Sequence, residues 1–282
     1  MNVFRVKRFT FILKKWNFNR MEYIALGKTN LLVSRTAFGA ESLACKEIEE
    51  SPEGGEEKAC AIVHQAYNGG INFFDTTHDE TGIECEKRLG EALHGIRQNV
   101  ILATKTTAKN SHDLRMDLEA SLFNLESDFI DLYQIENPEN VPLLHGEDGI
   151  YDSLVELKEK GTIKHFGLCT DSFEIARFAI MSGLYEVVQF PFNLITAKTS
   201  MELVELCQKN EVGCIAMQPL NGGVVTDIPL AFGFLHQYEN VVPVWGIHTQ
   251  EELHEILYYN EKPPVVDENF KQEVEKLRMF FN

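Results

Sequence analysis

Eight short β-type runs, each followed by a stretch of helical character, recur through this 282-residue chain. They read as Arg35–Phe38, Ile71–Phe74, Val100–Thr104, Ile130–Ile135, His165–Cys169, Val187–Phe190, Cys214–Met217 and Val241–Val244. A strand followed by a helix and another strand cannot form a tight hairpin; it builds a parallel pair through a right-handed crossover. Eight such units imply an α/β protein, a (β/α)8 TIM barrel. Ahead of them, Tyr23–Leu26 and Leu31–Ser34 flank Gly27-Lys28-Thr29-Asn30 and read as a β-hairpin.

The helices carry their own signals. Leu114, Leu118, Leu122 and Leu125 recur at helical spacing behind a Ser111 cap. Thr199-x-x-Glu202 and Thr249-x-x-Glu252 read as capping boxes, in which each side chain satisfies the other residue's orphan amide. Gly161 and Gly183 sit where helices should stop, and Val266 to Phe281 reads as a last amphipathic helix.

A net charge of -17 argues against nucleic acid and anionic membranes as partners. No run approaches the roughly 18 apolar residues of a membrane span. The six cysteines (45, 60, 85, 169, 207 and 214) form no CxxC pair. That suggests neither a metal site nor a disulfide framework, and reduced thiols in a cytoplasmic protein are the simplest account. Residues 1–20 differ from the rest, with six basic residues and no acid. They read either as a basic leader or as a mis-assigned start, with Met21 opening the barrel that runs to residue 282. No apolar core or cleavage site of the secretory kind is present there.

In a barrel of this kind the chemistry lies at the C-terminal ends of the strands. Asp75, Lys105, Glu136, Cys169-Thr170, Gln189, Met217 and Gly246 all fall there. A buried Asp beside a buried Lys is stable as a pair, because either charge alone is costly to desolvate. Three stretches then go further: Gly70-Ile71-Asn72-Phe73-Phe74-Asp75-Thr76-Thr77 running on to Glu86-Lys87-Arg88-Leu89-Gly90-Glu91-Ala92-Leu93, Val100-Ile101-Leu102-Ala103-Thr104-Lys105, and Ile130-Asp131-Leu132-Tyr133-Gln134-Ile135-Glu136-Asn137-Pro138. Together they resemble the catalytic strands of the aldo-keto reductases, over about residues 21–265.

That resemblance implies a nicotinamide-dependent oxidoreductase with a hairpin closing the bottom of its barrel. It also implies an Asp, a Tyr, a Lys and a His around the reacting carbonyl. Asp75 and Lys105 match, whereas Glu80 and Glu136 stand at the Tyr and His positions. The segment from Thr77 to Cys85 is about two residues longer than the family's, so Glu80 reads first as a loop residue at the solvent edge. A carboxyl of ordinary pKa, about 4.3, is protonated in roughly one molecule in 500 at pH 7, which makes Glu80 a poor acid. His78 titrates in the useful range and is the better donor candidate, or else an exposed loop histidine. Glu136 has a parallel in family members that reduce C=C bonds, where a carboxyl kept protonated by burial polarises an enone. It can equally be a carboxylate that neutralises Lys105.

On the cofactor side the resemblance assigns Cys169 and Thr170 to the nicotinamide amide, together with Gln189. Met217 would pack under the ring, and Pro219, Leu220 and Gly222 would face the pyrophosphate. Gly246, His248 and Thr249 open a helix that would meet the adenosine phosphate. The acids Glu251 and Glu252 beside that turn disfavour a 2′-phosphate, so NAD is expected over NADP. The substrate expected is a small carbonyl or enone compound. The alternatives are a catalytically degenerate cofactor-binding barrel, serving as a sensor or interaction subunit, and a non-redox lyase or isomerase. Oligomeric state is not legible in the sequence.

Overall fold

The computed structural model describes residues 21–45, 48, 50, 54–78, 82–196 and 198–281. Strands β1 (Tyr23–Ala25) and β2 (Leu32–Ser34) form an antiparallel hairpin. Eight parallel strands follow: β3 (Ala37–Gly39), β4 (Phe73–Asp75), β5 (Ile101–Thr106), β6 (Ile130–Glu136), β7 (Ile163–Cys169), β8 (Val187–Pro191), β9 (Gly213–Met217) and β10 (Val241–Gly246). They close into a barrel in chain order, with β10 returning to β3. The intervening helices are α1 (Gly55–Asn68), α2 (Gly82–Leu93), α3 (Ser111–Asn124), α4 (Ile150–Lys160), α5 (Phe173–Ser182), α6 (Lys198–Asn210) and α7 (Ile228–His236), with α8 (Gln250–Glu261) and α9 (Glu268–Phe281) after the last strand. The expected (β/α)8 barrel with an N-terminal hairpin is the observed architecture.

The strand sequences explain why the barrel carries a site at one end only. Side chains alternate between lumen and wall, so residues two apart share the lumen. Phe73, Ala103, Leu132, Val187 and Ile215 form the apolar lumen layer. Two residues further along the same strands stand Asp75, Lys105, Gln134, Gln189 and Met217. The intervening residues, such as Phe74, Leu102, Tyr133 and Val188, face the helices and join the larger core. Tyr133 is therefore buried in the wall, as its alternation with Gln134 implies, and its hydroxyl donates to the Leu114 carbonyl at 3.4 Å.

The hairpin closes the opposite end. Leu26 and Val33 pack into the lumen layer, and the Lys28 amide donates to the Glu211 carbonyl at 2.9 Å. Gly27 turns with φ 54°, and a Cβ there would sit 2.3 Å from the Gly213 nitrogen. Only glycine permits that turn at that approach.

Local capping departs from expectation in three places. The α3 cap is Asn110, whose side chain accepts from the His112 and Asp113 amides, not Ser111. Thr199 lies inside α6 instead of capping it. Thr249 does cap α8, accepting from the Glu252 amide, but Glu252 reaches past it to the His248 amide, so the box is not reciprocal. Gly161 and Gly183 end their helices in the left-handed conformation, as expected. No helix among the described residues is long and apolar enough to cross a membrane.

Candidate active site

Sheet register brings the site together. Gly39 pairs with Asp75 and with Gly246, Lys105 with Gln134, and Glu136 with Cys169, which pairs in turn with Gln189. These strand ends surround a cavity of about 600 Å³, within the range of small-ligand and cofactor sites. The strands extend one or two residues beyond their sequence-read ends, so Asp75, Lys105 and Glu136 belong to the sheet itself. That fixes their backbones more firmly than a loop would.

Lys105 is the centre of the arrangement. Its ammonium donates to Asp75 Oδ2 at 2.8 Å and to the Thr76 carbonyl at 2.7 Å. An ammonium has three N–H donors, which leaves one for a ligand in the cavity that Lys105 lines. Burial opposes the charge, but Asp75 foremost, with Glu41 and Glu136, holds the ammonium above the ordinary lysine range. Lys105 is thus a permanent cation and hydrogen-bond donor at neutral pH.

Asp75 is itself fixed from a second side. The Gln189 amide donates to its Oδ2 at 3.0 Å, and Gln189 Oε1 accepts from Gln134 at 2.7 Å. Gln189 therefore spends part of its amide on the protein and keeps one N–H and one lone pair for a ligand. Asp75 Oδ1 is buried with no hydrogen-bond partner. Glu136 accepts from the Thr77 hydroxyl at 2.8 Å and faces the same cavity. Cys169 lies beside it with its sulfur 3.7 Å from that of Met217. Burial foremost pushes the Cys169 thiol well above its usual range despite Lys105 nearby, so it stays protonated.

The other end of the cavity is built by the turn after β9. Gln218, Asn221, Gly222 and Gly223 all have positive φ, between 48° and 85°. Asn193, fully buried, holds this turn by donating to the Gln218 carbonyl at 2.9 Å. A Cβ built on Gly222 or Gly223 meets nothing within 4 Å, so their backbone is open to a ligand. Gly39 is tighter: a Cβ there would approach Trp245 O and Val244 Cγ1 at 3.1 Å.

Eleven of the expected site residues line the cavity: Asp75, Lys105, Glu136, Cys169, Gln189, Met217, Pro219, Leu220, Gly222, Gly246 and His248. Three others do not. The His78 ring bonds Glu86 at 2.9 Å, a fully buried carboxylate on α2 that also accepts from Thr104 and Asn124. His78 is thereby tied to α2 and is not among the residues that line the cavity. The Thr170 hydroxyl accepts from the Ser172 amide at the entry to α5, and Thr249 is occupied as the α8 cap. Glu80 lies outside the described residues.

Several lining residues escaped the sequence reading, among them Glu41, Asp171 and Gln218. Asn137 carried a usable signal, since Asn directly after a strand tolerates the left-handed φ of 42° found there. Its side-chain oxygen accepts from the Asp171 amide at 2.9 Å and ties two rim turns together.

The model of the Aldo/keto reductase family matches residues 38–228. The chain is 29% identical over 221 residues to the L-galactose dehydrogenase of Arabidopsis thaliana, covering 74% of this chain and 68% of that protein. An aldo-keto reductase of Bacillus halodurans, in its holo form, superposes with a TM-score of 0.76 at 22% identity, covering 91% of this chain and 96% of the other. An aldo/keto reductase of Klebsiella pneumoniae in complex with NADP and acetate gives a TM-score of 0.76 at 16% identity, covering 92% and 95%.

Proposed function

Because the chain belongs to the aldo/keto reductase family, we propose that it is a nicotinamide-dependent oxidoreductase acting on a small carbonyl or enone compound. The observation that carries this reading is the uncommitted N–H of Lys105, a buried ammonium facing a cofactor-sized cavity. A nicotinamide dinucleotide fits the residues present. Met217, Cys169 and the remaining amide valences of Gln189 would hold the nicotinamide, and the open backbone of Gly222 and Gly223 would take the pyrophosphate. When bound, that group supplies the hydride.

The chain's own residues do the rest. Lys105 hydrogen-bonds the carbonyl oxygen and stabilises the negative charge that develops on it. Asp75, braced by Gln189, fixes the position of Lys105 and balances its charge. No tyrosine lines the cavity among the described residues, and its one histidine, His248, stands at the adenosine end. We assign the proton that completes the alcohol to water at the mouth, and Glu136 with Thr77 shapes the site beside the carbonyl. The same observation favours a second reading, a barrel that binds cofactor with little turnover.

For the cofactor's adenosine end we propose NAD over NADP. Glu252 lines this part of the cavity and its carboxylate accepts from the His248 amide at 2.8 Å. It thus fills the anion position a 2′-phosphate would need. A cytoplasmic location is part of the same reading. Calorimetric titration tests the cofactor directly. NADH is expected to bind more tightly than NADPH, and Glu252→Gln to improve NADPH binding more than NADH binding. No heat with either cofactor at millimolar concentration would refute the reading.

A further inference from the structure

We propose that Gln134, which is not among the residues lining the cavity, is a positioning residue for the nicotinamide. It locks the Gln189 amide in one orientation, and that orientation selects a carboxamide. The ligand rests on the cofactor reading given above; the lock itself stands on hydrogen bonds. Gln134 is fully buried in β6 and pairs in register with Lys105. Its Nε2 donates to Gln189 Oε1 at 2.7 Å, and Gln189 Nε2 donates to Asp75 Oδ2 at 3.0 Å. The same Asp75 oxygen accepts from the Lys105 ammonium at 2.8 Å.

The direction of this chain is set from its charged end. Asp75 forms an ion pair with Lys105, and a carboxylate can only accept. Gln189 must therefore turn its NH2 to Asp75 and its oxygen to Gln134, which answers with its own NH2. Reversing either amide would set oxygen against oxygen. This order carries a cost, because Gln134 Oε1 is left buried with no hydrogen-bond partner. An apolar side chain at 134, like Leu132 in the lumen layer, would bring no such orphan of its own. A buried amide kept against that cost has something to hold in place. Gln189 is what it holds, on the cavity lining, with one N–H and one lone pair uncommitted. A ligand carboxamide answers both at once, its carbonyl taking the N–H and its NH2 filling the lone pair. A carboxylate in that place would set a second acceptor against the lone pair.

Calorimetric titration of the full chain with NADH, and with ADP-ribose, which lacks the nicotinamide, tests the lock. Gln134→Met keeps a side chain of similar length and removes the donor. It is expected to weaken NADH binding about three- to tenfold, the worth of one hydrogen bond. ADP-ribose binding and the melting temperature should stay nearly unchanged. Gln134→Glu is the second variant, should Met at 134 fail to fold. Its carboxylate cannot donate to Gln189 Oε1 but its protonated carboxyl can, and burial favours the protonated form. Its ratio of NADH to ADP-ribose affinity should therefore recover as pH falls from about 8 to about 5.5, a recovery absent in wild type. Wild type alone should bind NAD about tenfold more tightly than nicotinic acid adenine dinucleotide, which carries a carboxylate for the amide. Equal NADH binding by wild type and variants overturns the proposal, and so does equal binding of NAD and its acid analogue. Matched losses of NADH and ADP-ribose would make Gln134 merely structural and overturn it too. No binding of either ligand by wild type would refute the cofactor reading itself, and the nicotinamide role of Gln134 with it.

Discussion

At the scale of single residues, Lys105 and Asp75 stabilise the site only as a pair. Both are about 2% exposed, and removing one partner leaves the other as an uncompensated buried charge. Lys105→Met should therefore cost about 3–5 kcal/mol in urea unfolding, whereas the double variant with Asp75→Asn should cost much less. The pH sign follows from the raised Lys105 pKa. A raised lysine contributes stability that is fully present below its unfolded value, about 10.4, and is lost only as pH rises through the higher folded value. Lys105 should thus add no pH dependence to the urea-unfolding stability of the wild type between pH 6 and about pH 10. The two residues were legible because a lumen position two beyond an apolar lumen residue is a strong pattern. His78 was not, because its direction is decided by Glu86, Thr104 and Asn124, which three separate elements bring together. Thr170 and Thr249 lie off the lining for a related reason: a hydroxyl at a helix entry accepts first from the backbone.

At the scale of elements, the barrel divides into a supporting end and a working end. The hairpin turn meets β9 so closely that Gly27 admits no side chain. Gly27→Ala combines a strained left-handed residue with a backbone clash, and should cost about 2 kcal/mol or more. The cost should appear as a lower melting temperature with NADH affinity nearly unchanged, since the hairpin lies opposite the cavity. Matched losses in both would mean that the two ends are coupled. Strand positions were readable to within one or two residues because alternation is local. Their true ends were not, since Thr106, Glu136 and Gly246 remain in the sheet through pairing with neighbouring strands. The α3 cap shows the same limit: Asn110 and Ser111 are both good caps by type, and backbone geometry chose the first.

At the scale of the whole molecule, eight alternating β/α units specify the closed barrel, and closure gathers residues from Gly39 to Glu252 into one cavity. The family's frame was visible in the sequence. What the strand ends hold needed coordinates: an ammonium with one free N–H and a carboxylate held by Thr77 beside it. The central claim is that this cavity transfers hydride to a carbonyl with Lys105 as the charge-stabilising donor. The most direct measurement is deuterium transfer from 4-deuterated NADH to propanal, followed by mass spectrometry of the alcohol. Wild type is predicted to give alcohol with one deuterium on the former carbonyl carbon, and Lys105→Met to lower the rate about 10²- to 10³-fold. Cofactor binding with no deuterium in the alcohol would contradict the claim.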